Sequence, residues 1–173
     1  MAAARGFTMI ELMVTLTVLA VLAVVAAPSF NEAILKSKLT GFANNFVASA
    51  QLARSEAIKR NSTVRVCRSA DGLTCATSGT WQQGWIVFND IDNDGVVDSN
   101  ETVIQVQQAL SADYHFTEAS SIYSIAFQAI GAGASAATLT LCRATPVGSQ
   151  ERIIKVSATG RTSVEVTRNG SCT

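Results

Sequence analysis

The sequence has little of the chemistry that enzymes use. Its single histidine, His115, lies in Tyr114-His115-Phe116, which is typical of an ordinary strand edge. There is no Gly-x-Ser-x-Gly motif, no phosphate-binding glycine loop and no Cys-x-x-Cys spacing, so hydrolase, nucleotide and zinc chemistry have no support. We therefore predict that the protein is not an enzyme and that it requires no cofactor.

An excess of charge of either sign is also absent. Thirteen Lys and Arg residues balance thirteen Asp and Glu residues, and the formal net charge is zero. The whole chain therefore exerts no electrostatic pull toward nucleic acid. Roughly 140 residues follow the N-terminal apolar run, which is enough for one hydrophobic core.

Cysteine is scarce but present in an even number. The four cysteines are Cys67, Cys75, Cys142 and Cys172, which agrees with an oxidising, periplasm-like compartment. Four cysteines permit three pairings. We favour structural disulfides Cys67–Cys75 and Cys142–Cys172, because each joins segments with the pattern of strand ends.

The longest apolar run is at the N-terminus, and it contains one charge. A helix from Phe7 to Ala27 spans roughly 31 Å at about 1.5 Å per residue, close to the hydrocarbon core of a bilayer. Glu11 lies inside this run, although a carboxylate there costs on the order of 3 kcal/mol on insertion scales. A plain membrane anchor explains the length of the run but not Glu11.

A cleaved secretory signal is the other simple interpretation of this segment. Val25-Ala26-Ala27 has small residues of the kind found at a signal cleavage site. However, the apolar run is longer than the usual core of such a signal, Glu11 interrupts it, and Pro28 would directly follow the cut. These features favour a retained segment.

The stretch Gly6-Phe7-Thr8-Met9-Ile10-Glu11-Leu12 resembles the processing motif of type IV pilins and type II secretion pseudopilins. The resemblance implies that a prepilin peptidase cuts between Gly6 and Phe7 and that the new amino group of Phe7 is N-methylated. Pro28 stands where many family members carry a helix-kinking proline, and it removes one backbone hydrogen bond.

The same resemblance implies a mode of assembly. Glu11 would pair with the N-terminal amine of a neighbouring subunit, and Phe7 would supply that amine, so the pair fixes the register of stacked subunits. Arg5 precedes the span, and a basic flank stays cytoplasmic. We expect a single-pass protein of the bacterial inner membrane with a periplasmic domain. Its expected partners are other pilins or pseudopilins, the prepilin peptidase and the inner-membrane assembly platform.

After the apolar run, the hydrophobic pattern predicts a continued helix and then strands. Apolar residues recur at three- and four-residue steps in residues 29–61: Phe30, Ile34, Leu35, Leu39, Phe42, Phe46, Ala50, Ala53 and Ala57. Beyond them the predicted strands are Thr63–Cys67, Trp85–Asn89, Val103–Gln107, Ser124–Gln128, Thr138–Cys142, Arg152–Ser157 and Ser163–Thr167.

These elements predict an α+β, pilin-like fold, in which a long N-terminal helix packs on antiparallel sheet. We divide the chain into a prepilin leader (1–6), a transmembrane or filament-core helix (7–28), an amphipathic helix (29–61) and a β-rich periplasmic domain (62–173). The residues from Ala129 to Ala137 are mostly small, which predicts a surface loop.

The GspH/FimT group of minor pilins and pseudopilins is similar to this chain in three further stretches. These are Leu52-Ala53-Arg54-Ser55-Glu56-Ala57-Ile58-Lys59-Arg60-Asn61, Val64–Cys67 and Gly84-Trp85-Ile86-Val87-Phe88. With the N-terminal motif, the resemblance covers most of the chain to about residue 105. It implies a structural subunit that primes or caps a type IV pilus or a type II secretion pseudopilus.

An acidic stretch after the Gly-Trp strand has the spacing of a calcium loop. Oxygen ligands would come from positions 1, 3, 5, 7, 9 and 12 of that loop, with glycine at position 6: Asp90, Asp92, Asp94, the carbonyl of Val96, Asp98 and Glu101. The preceding strand is not the helix that such loops normally follow. A calcium site and an acidic hairpin turn both remain open.

Basic residues are frequent in the last third of the chain: Arg143, Arg152, Lys155, Arg161 and Arg168. If alternation along the strands brings them to one face, they could neutralise several phosphates. DNA-uptake minor pilins resemble this pattern, with a basic tail after a glycine. The alternative function is therefore DNA binding in natural transformation, and the other interpretation is a mixed, solvated strand face.

Overall fold

The computed structural model describes residues 6–131, 134–144 and 147–167, without the side chains of residues 25–29, 147 and 149. Within them, the helix α1 (Met9–Arg60) precedes eight strands and a 3-10 helix (Trp81–Gln83). The strands are β1 (Thr63–Arg68), β2 (Trp85–Asp90), β3 (Val103–Gln107), β4 (Tyr114–Glu118), β5 (Ser124–Phe127), β6 (Ala137–Ala144), β7 (Val147–Val156) and β8 (Thr162–Thr167). The chain divides into two compact units, Met1–Ser37 and Lys38–Thr173, so α1 contributes to both.

The first unit contains the N-terminal part of α1. Its two threonine hydroxyls donate hydrogen bonds to carbonyls of the preceding turn, Thr15 to Leu12 and Thr17 to Met13, so neither needs a partner outside the helix. The backbone stays helical through Pro28. The side chain of Pro28 lies outside the described side chains, and a kink there stays a prediction.

In the second unit, α1 buries one face against the sheets. Its buried residues follow the three- and four-residue steps of a helical stripe: Leu39, Ala43, Phe46, Ala50, Ala53 and Ala57. The predicted stripe is correct in this unit for Leu39, Phe46, Ala50, Ala53 and Ala57, but Phe42 is only half-buried and Ala43 was omitted. It is wrong for Phe30 and Ile34 in the first unit, which are exposed.

The helix ends through a backbone motif that the sequence did not reveal. Asn61 adopts a left-handed conformation, with φ of 52°, which asparagine tolerates better than most residues. The Ser62 N–H donates to the Ala57 carbonyl at 3.3 Å, and the Asn61 N–H donates to the Ile58 carbonyl at 3.4 Å. This is a Schellman motif, and it turns the chain directly into β1.

Two antiparallel sheets of four strands each form the rest of the second unit, in the orders β3-β2-β1-β5 and β4-β6-β7-β8. The α+β fold is therefore confirmed. The predicted strands are present with shifted ends, and β4 extends the predicted strand edge around His115 to five residues. β7 begins earlier than predicted and is ten residues long. β6 begins at Ala137, which shortens the predicted loop.

An aromatic cluster joins the helix to both sheets. The Phe46 ring lies 5.4 Å, centroid to centroid, from the rings of Trp85 in the first sheet, Phe116 in the second sheet and Trp81 in the 3-10 helix. The edge-to-face geometry is the favourable one for aromatic pairs. The Trp85 indole N–H donates to Ser49 Oγ at 3.0 Å, so its polar group is satisfied inside the core.

The first sheet also buries its other face. Cys67, Ile86 and Phe88 form a small second core, and Cys75, Val97 and Val103 pack against it. Cys75 belongs to the loop after β1, and Val97 belongs to the acidic loop after β2. Two loops therefore cover the outer face of this sheet, which explains why every residue of β2 is buried.

Candidate functional sites

The N-terminal segment carries one carboxylate at the start of α1. Thr8 directly precedes the helix, and the Glu11 N–H donates to Thr8 Oγ1 at 3.2 Å, while the Thr8 N–H donates to Glu11 Oε2 at 3.5 Å. This reciprocal pair is a capping box. Sequence reasoning assigned no role to Thr8, although the spacing Thr-x-x-Glu before an apolar run is the known signature of such a cap.

The helix that follows this cap exposes apolar side chains on every side. Exposed large apolar residues occur at nearly every position of its first turns: Phe7, Met9, Ile10, Leu12, Met13, Val14, Leu16, Val18, Leu19, Val21, Leu22 and Val24. A helix that is apolar all round requires an apolar environment. Among the described residues, however, no helix reaches the length and hydropathy that crossing a membrane requires, so the predicted span over residues 7–28 is not confirmed.

The acidic loop brings together three of its five carboxylates. One oxygen each from Asp90, Asp92 and Asp94 lies within 4.8 Å of the others. Asp90 is fully buried, whereas Asp92 and Asp94 are exposed. Gly95 has the positive φ of 82° that its turn requires. The glycine at the sixth loop position therefore adopts a backbone conformation that other residues rarely adopt.

A positively charged side chain of the protein already binds the carboxylate of Asp90 in this loop. The Arg65 guanidinium forms an ion pair with the buried Asp90 through Nε, and its Nη2 donates to Asn93 Oδ1 at 2.9 Å. Asp90 also accepts hydrogen bonds from the N–H groups of Asp94 and Gly95. The prediction overlooked Arg65, which lies on β1 and reaches the loop only because β1 pairs with β2.

The last predicted calcium ligand closes the loop by hydrogen bonds. Glu101 accepts the N–H of Ile91 at 2.6 Å and the N–H of Asp98 at 3.2 Å. The carboxylates of Asp98 and Glu101 are not part of the three-carboxylate group. A calcium site therefore stays a prediction, and its test is whether chelation lowers the melting temperature.

One predicted disulfide is confirmed. Cys67 and Cys75 are bonded and lie eight residues apart, and their loop is also fixed by Arg68, which donates to the carbonyls of Thr77 and Gly79. Burial lowers the pKa of Arg68. Cys142 also forms a disulfide. Cys172 lies outside the described residues, so the pairing Cys142–Cys172 stays a prediction.

The basic residues of the last third do not share one face. Arg152 is buried and donates to Thr40 Oγ1 on α1 at 3.3 Å, whereas Lys155 is exposed and forms an ion pair with Glu165 at 2.8 Å. Their odd separation along β7 places them on opposite faces of the sheet. Arg161 lies in the turn between β7 and β8.

The two remaining basic residues do not complete a basic face in the part of the chain that is described. Arg143 is half-buried in β6, and Arg168 lies outside the described residues. A single basic surface, as the DNA-binding alternative requires, is therefore not formed by the described residues.

Comparisons with known proteins agree with this architecture. The family described as Type II transport protein GspH matches residues 43–160, and the prokaryotic N-terminal methylation motif matches residues 1–27. No curated protein sequence matches the chain.

Two solved structures have a similar fold. One is the type IV minor pilin FimU of Pseudomonas aeruginosa, with 20% identity and a TM-score of 0.54, over 73% of this chain and 92% of that one. The other is the minor pseudopilin EpsH from the Type 2 Secretion System of Vibrio cholerae, with 11% identity and a TM-score of 0.50, over 77% of this chain and 98% of that one.

The chain combines an N-terminal methylation motif over residues 1–27 with a helix on two antiparallel sheets, which is an architecture of the pilin type. It belongs to the GspH family. The predicted resemblance to the GspH/FimT group is thereby confirmed, and the N-terminal motif implies an anchor of the pilin type.

Proposed function

We propose that the protein is a structural subunit that primes or caps a type IV pilus or a type II secretion pseudopilus. The observation that carries this proposal is the start of α1, where exposed apolar side chains surround one carboxylate, Glu11. Such a surface suits lipid before assembly and the apolar core of a helical filament afterwards. The GspH family match and the methylation motif support the same function.

The proposed mechanism of assembly depends on Glu11 changing its hydrogen-bond partner. In the chain described here, its carboxylate caps its own helix through the Thr8 N–H. Cleavage between Gly6 and Phe7 creates a cationic amine one residue before Thr8, and N-methylation keeps that charge. In the filament, Glu11 then pairs with the amine of a neighbouring Phe7. Loss of either charge leaves the other buried and unpaired, which costs several kcal/mol.

Processing and location complete this proposal. A prepilin peptidase cuts and methylates the chain, an assembly platform in the inner membrane receives it, and other pilins or pseudopilins surround it in the filament. The N-terminus faces the cytoplasm, and the second unit lies in the periplasm.

The decisive experiment separates the charge of Glu11 from its capping role. In Glu11→Gln the side chain still caps the helix, because glutamine also serves at this position of a capping box, but the charge is lost. In Thr8→Ala the cap is lost and the charge remains. We expect normal cleavage of both variants, measured by mass spectrometry. Only Glu11→Gln should be depleted from sheared filaments, and its normal recovery there would refute charge pairing.

The machine that the subunit serves can be identified from a deletion strain. A sharp fall in sheared surface pilin would favour pilus initiation, and an unchanged yield would favour type II secretion or DNA capture. The DNA-uptake alternative remains a separate prediction. It requires salt-dependent DNA binding that weakens in the double variant Arg161→Ala and Arg168→Ala.

A further inference from the structure

A small pocket lies between the C-terminal part of α1 and the turn from β7 to β8. Its volume is about 250 Å³. Arg54 lines it from the helix, Arg161 lines it from the turn, and Gln51, Ser55 and Thr162 add neutral polar groups. No acidic residue is among the described residues that line it. The pocket is therefore cationic, although the net charge of the whole chain is zero.

Both arginines have guanidinium N–H groups that find no hydrogen-bond acceptor among the described residues. Arg54 Nε donates to the Gly131 carbonyl at 2.7 Å, which fixes the side chain and leaves its terminal nitrogens without an acceptor among the described residues. Arg161 forms hydrogen bonds through its backbone alone in the same part of the chain. Two planar guanidinium groups with free donors are suited to bidentate contact with a carboxylate or a phosphate.

The backbone holds the two arginines together. Gly160 is buried in the turn and has a φ of 74°. A Cβ at this position would lie 3.5 Å from Arg54 Cδ, so the turn packs directly against the arginine side chain. Arg161, the next residue, is thereby placed at the rim of the same pocket.

The surroundings of the pocket favour a protein partner over nucleic acid. Ile58 lines the pocket and is 54% exposed, and Ile130, next to the carbonyl that holds Arg54, is 79% exposed. Arginine is enriched at protein–protein interfaces, and the two isoleucines add exposed apolar surface beside the two arginines. Binding DNA would instead require a series of cations for successive phosphates, but Arg152 is buried and Lys155 is paired with Glu165.

We propose that this pocket binds an aspartate or glutamate side chain of a neighbouring filament subunit, with Ile58 and Ile130 packing against that subunit. The proposal rests on the proposed function, because it assumes that the neighbour is another pilin or pseudopilin. It assigns a specific contact to the second unit, separate from the pairing of Glu11 in the first.

The test uses the full-length protein in cells, with a photoreactive amino acid at Ile130. We expect crosslinks to another filament subunit, and at least about a tenfold decrease of these crosslinks in Arg161→Gln and in Arg54→Gln, because removing one partner of a buried charge pair weakens binding strongly. Arg161→Gln is the decisive variant, since its guanidinium makes no contact that folding of the described residues requires. The matched control is Lys59→Gln, which removes an exposed charge from the same helix and should leave the crosslinks unchanged.

Three results would overturn the proposal: no subunit crosslink at Ile130, crosslinks that persist in Arg161→Gln, or an arginine-dependent crosslink to DNA. Crosslinks are measured in membranes as well as in sheared filaments. Failure of the proposed function would appear separately, as absence of the unmodified protein from sheared filaments, while arginine-dependent subunit crosslinks in membranes would still support the pocket.

Discussion

Arg65 is the cation that lies against the buried carboxylate of the acidic loop. It supplies the positive charge that the buried Asp90 carboxylate needs, and it holds Asn93 of the same loop. A carboxylate that is fully buried is stable only when it is paired and hydrogen-bonded. The acidic loop is thus organised by an arginine that lies 25 residues away in sequence from Asp90.

The first prediction concerns this ion pair. Arg65→Ala leaves Asp90 buried without its cation, which should lower the free energy of unfolding by about 3 to 5 kcal/mol. The measurement is chemical denaturation of the protein in detergent. Lys155→Ala, which removes an exposed partner of Glu165, is the control and should cost at most about 1 kcal/mol. Equal effects of the two substitutions would contradict this account of the loop.

The second prediction concerns pH and Asp71. The Thr74 hydroxyl, followed by the N–H groups of Thr74 and Leu73, holds the pKa of Asp71 well below its usual range. Because the folded-state pKa is lowered, this carboxylate stabilises the fold above its unfolded value of about 4, and the stabilisation is lost as the pH falls through that value toward the folded pKa.

Asp71→Asn should therefore melt at a lower temperature than the parent protein at about pH 7, and the difference should shrink at about pH 2. Thermal denaturation at the two pH values measures it. Asp113→Asn is the control, because its carboxylate accepts a single side-chain hydrogen bond, from Ser111. A difference for Asp71→Asn that is independent of pH would refute the electrostatic explanation.

At the scale of elements, local patterns predicted most of the fold. Helical periodicity identified the buried stripe of α1, and short β runs identified most of the strands, because both patterns depend on neighbouring residues. Contacts between distant residues were not predictable in this way. The Arg54 bond to Gly131 spans 77 residues, and no feature of either local sequence indicates it.

The same contrast between local sequence patterns and contacts between distant residues applies to the individual sites. The N-terminal motif was predictable because it is contiguous. The Cys67–Cys75 disulfide was predicted from the pattern of strand ends, and the pairing is correct although Cys75 lies in the loop after β1. The condition for a basic face, that alternation brings the basic residues to one side, is not met by Arg152 and Lys155, which both lie on β7. Strand alternation forbids that for residues three apart.

The third prediction concerns the disulfide loop. Cys75→Ala removes the bond to Cys67 and should lower the free energy of unfolding by about 2 to 3 kcal/mol, because a closed loop of this length restricts the unfolded chain. Urea denaturation of the oxidised proteins measures the loss. With a reductant present, the difference between parent and variant should shrink to the packing contribution of the Cys75 side chain, since the parent then lacks the same bond. A difference that reduction leaves unchanged would mean that Cys75 acts through packing alone.

At the scale of the whole molecule, the second unit depends on one residue of α1. Phe46 is fully buried and contacts aromatic rings of both sheets and of the 3-10 helix. The two sheets are separate in their hydrogen bonding, so this cluster is a major connection between them.

The fourth prediction tests that connection. Phe46→Ala should lower the free energy of unfolding by about 3 to 5 kcal/mol, because it leaves a cavity among rings that cannot collapse into it. Leu73→Ala, which truncates an exposed side chain, should change the free energy by less than about 0.5 kcal/mol. Thermal denaturation compares the two variants. A similar stability of both would mean that Phe46 is not a major connection between the two sheets.

The position of the two tryptophans gives this domain an intrinsic fluorescent probe. The sequence contains only Trp81 and Trp85, and both are buried beside Phe46, where helix and sheets meet. Water reaches either indole only when that junction opens, so a red shift of the emission reports separation of the helix from the sheets. Without any attached dye, the same signal can follow the folding of the domain in detergent, in vesicles and in isolated filaments.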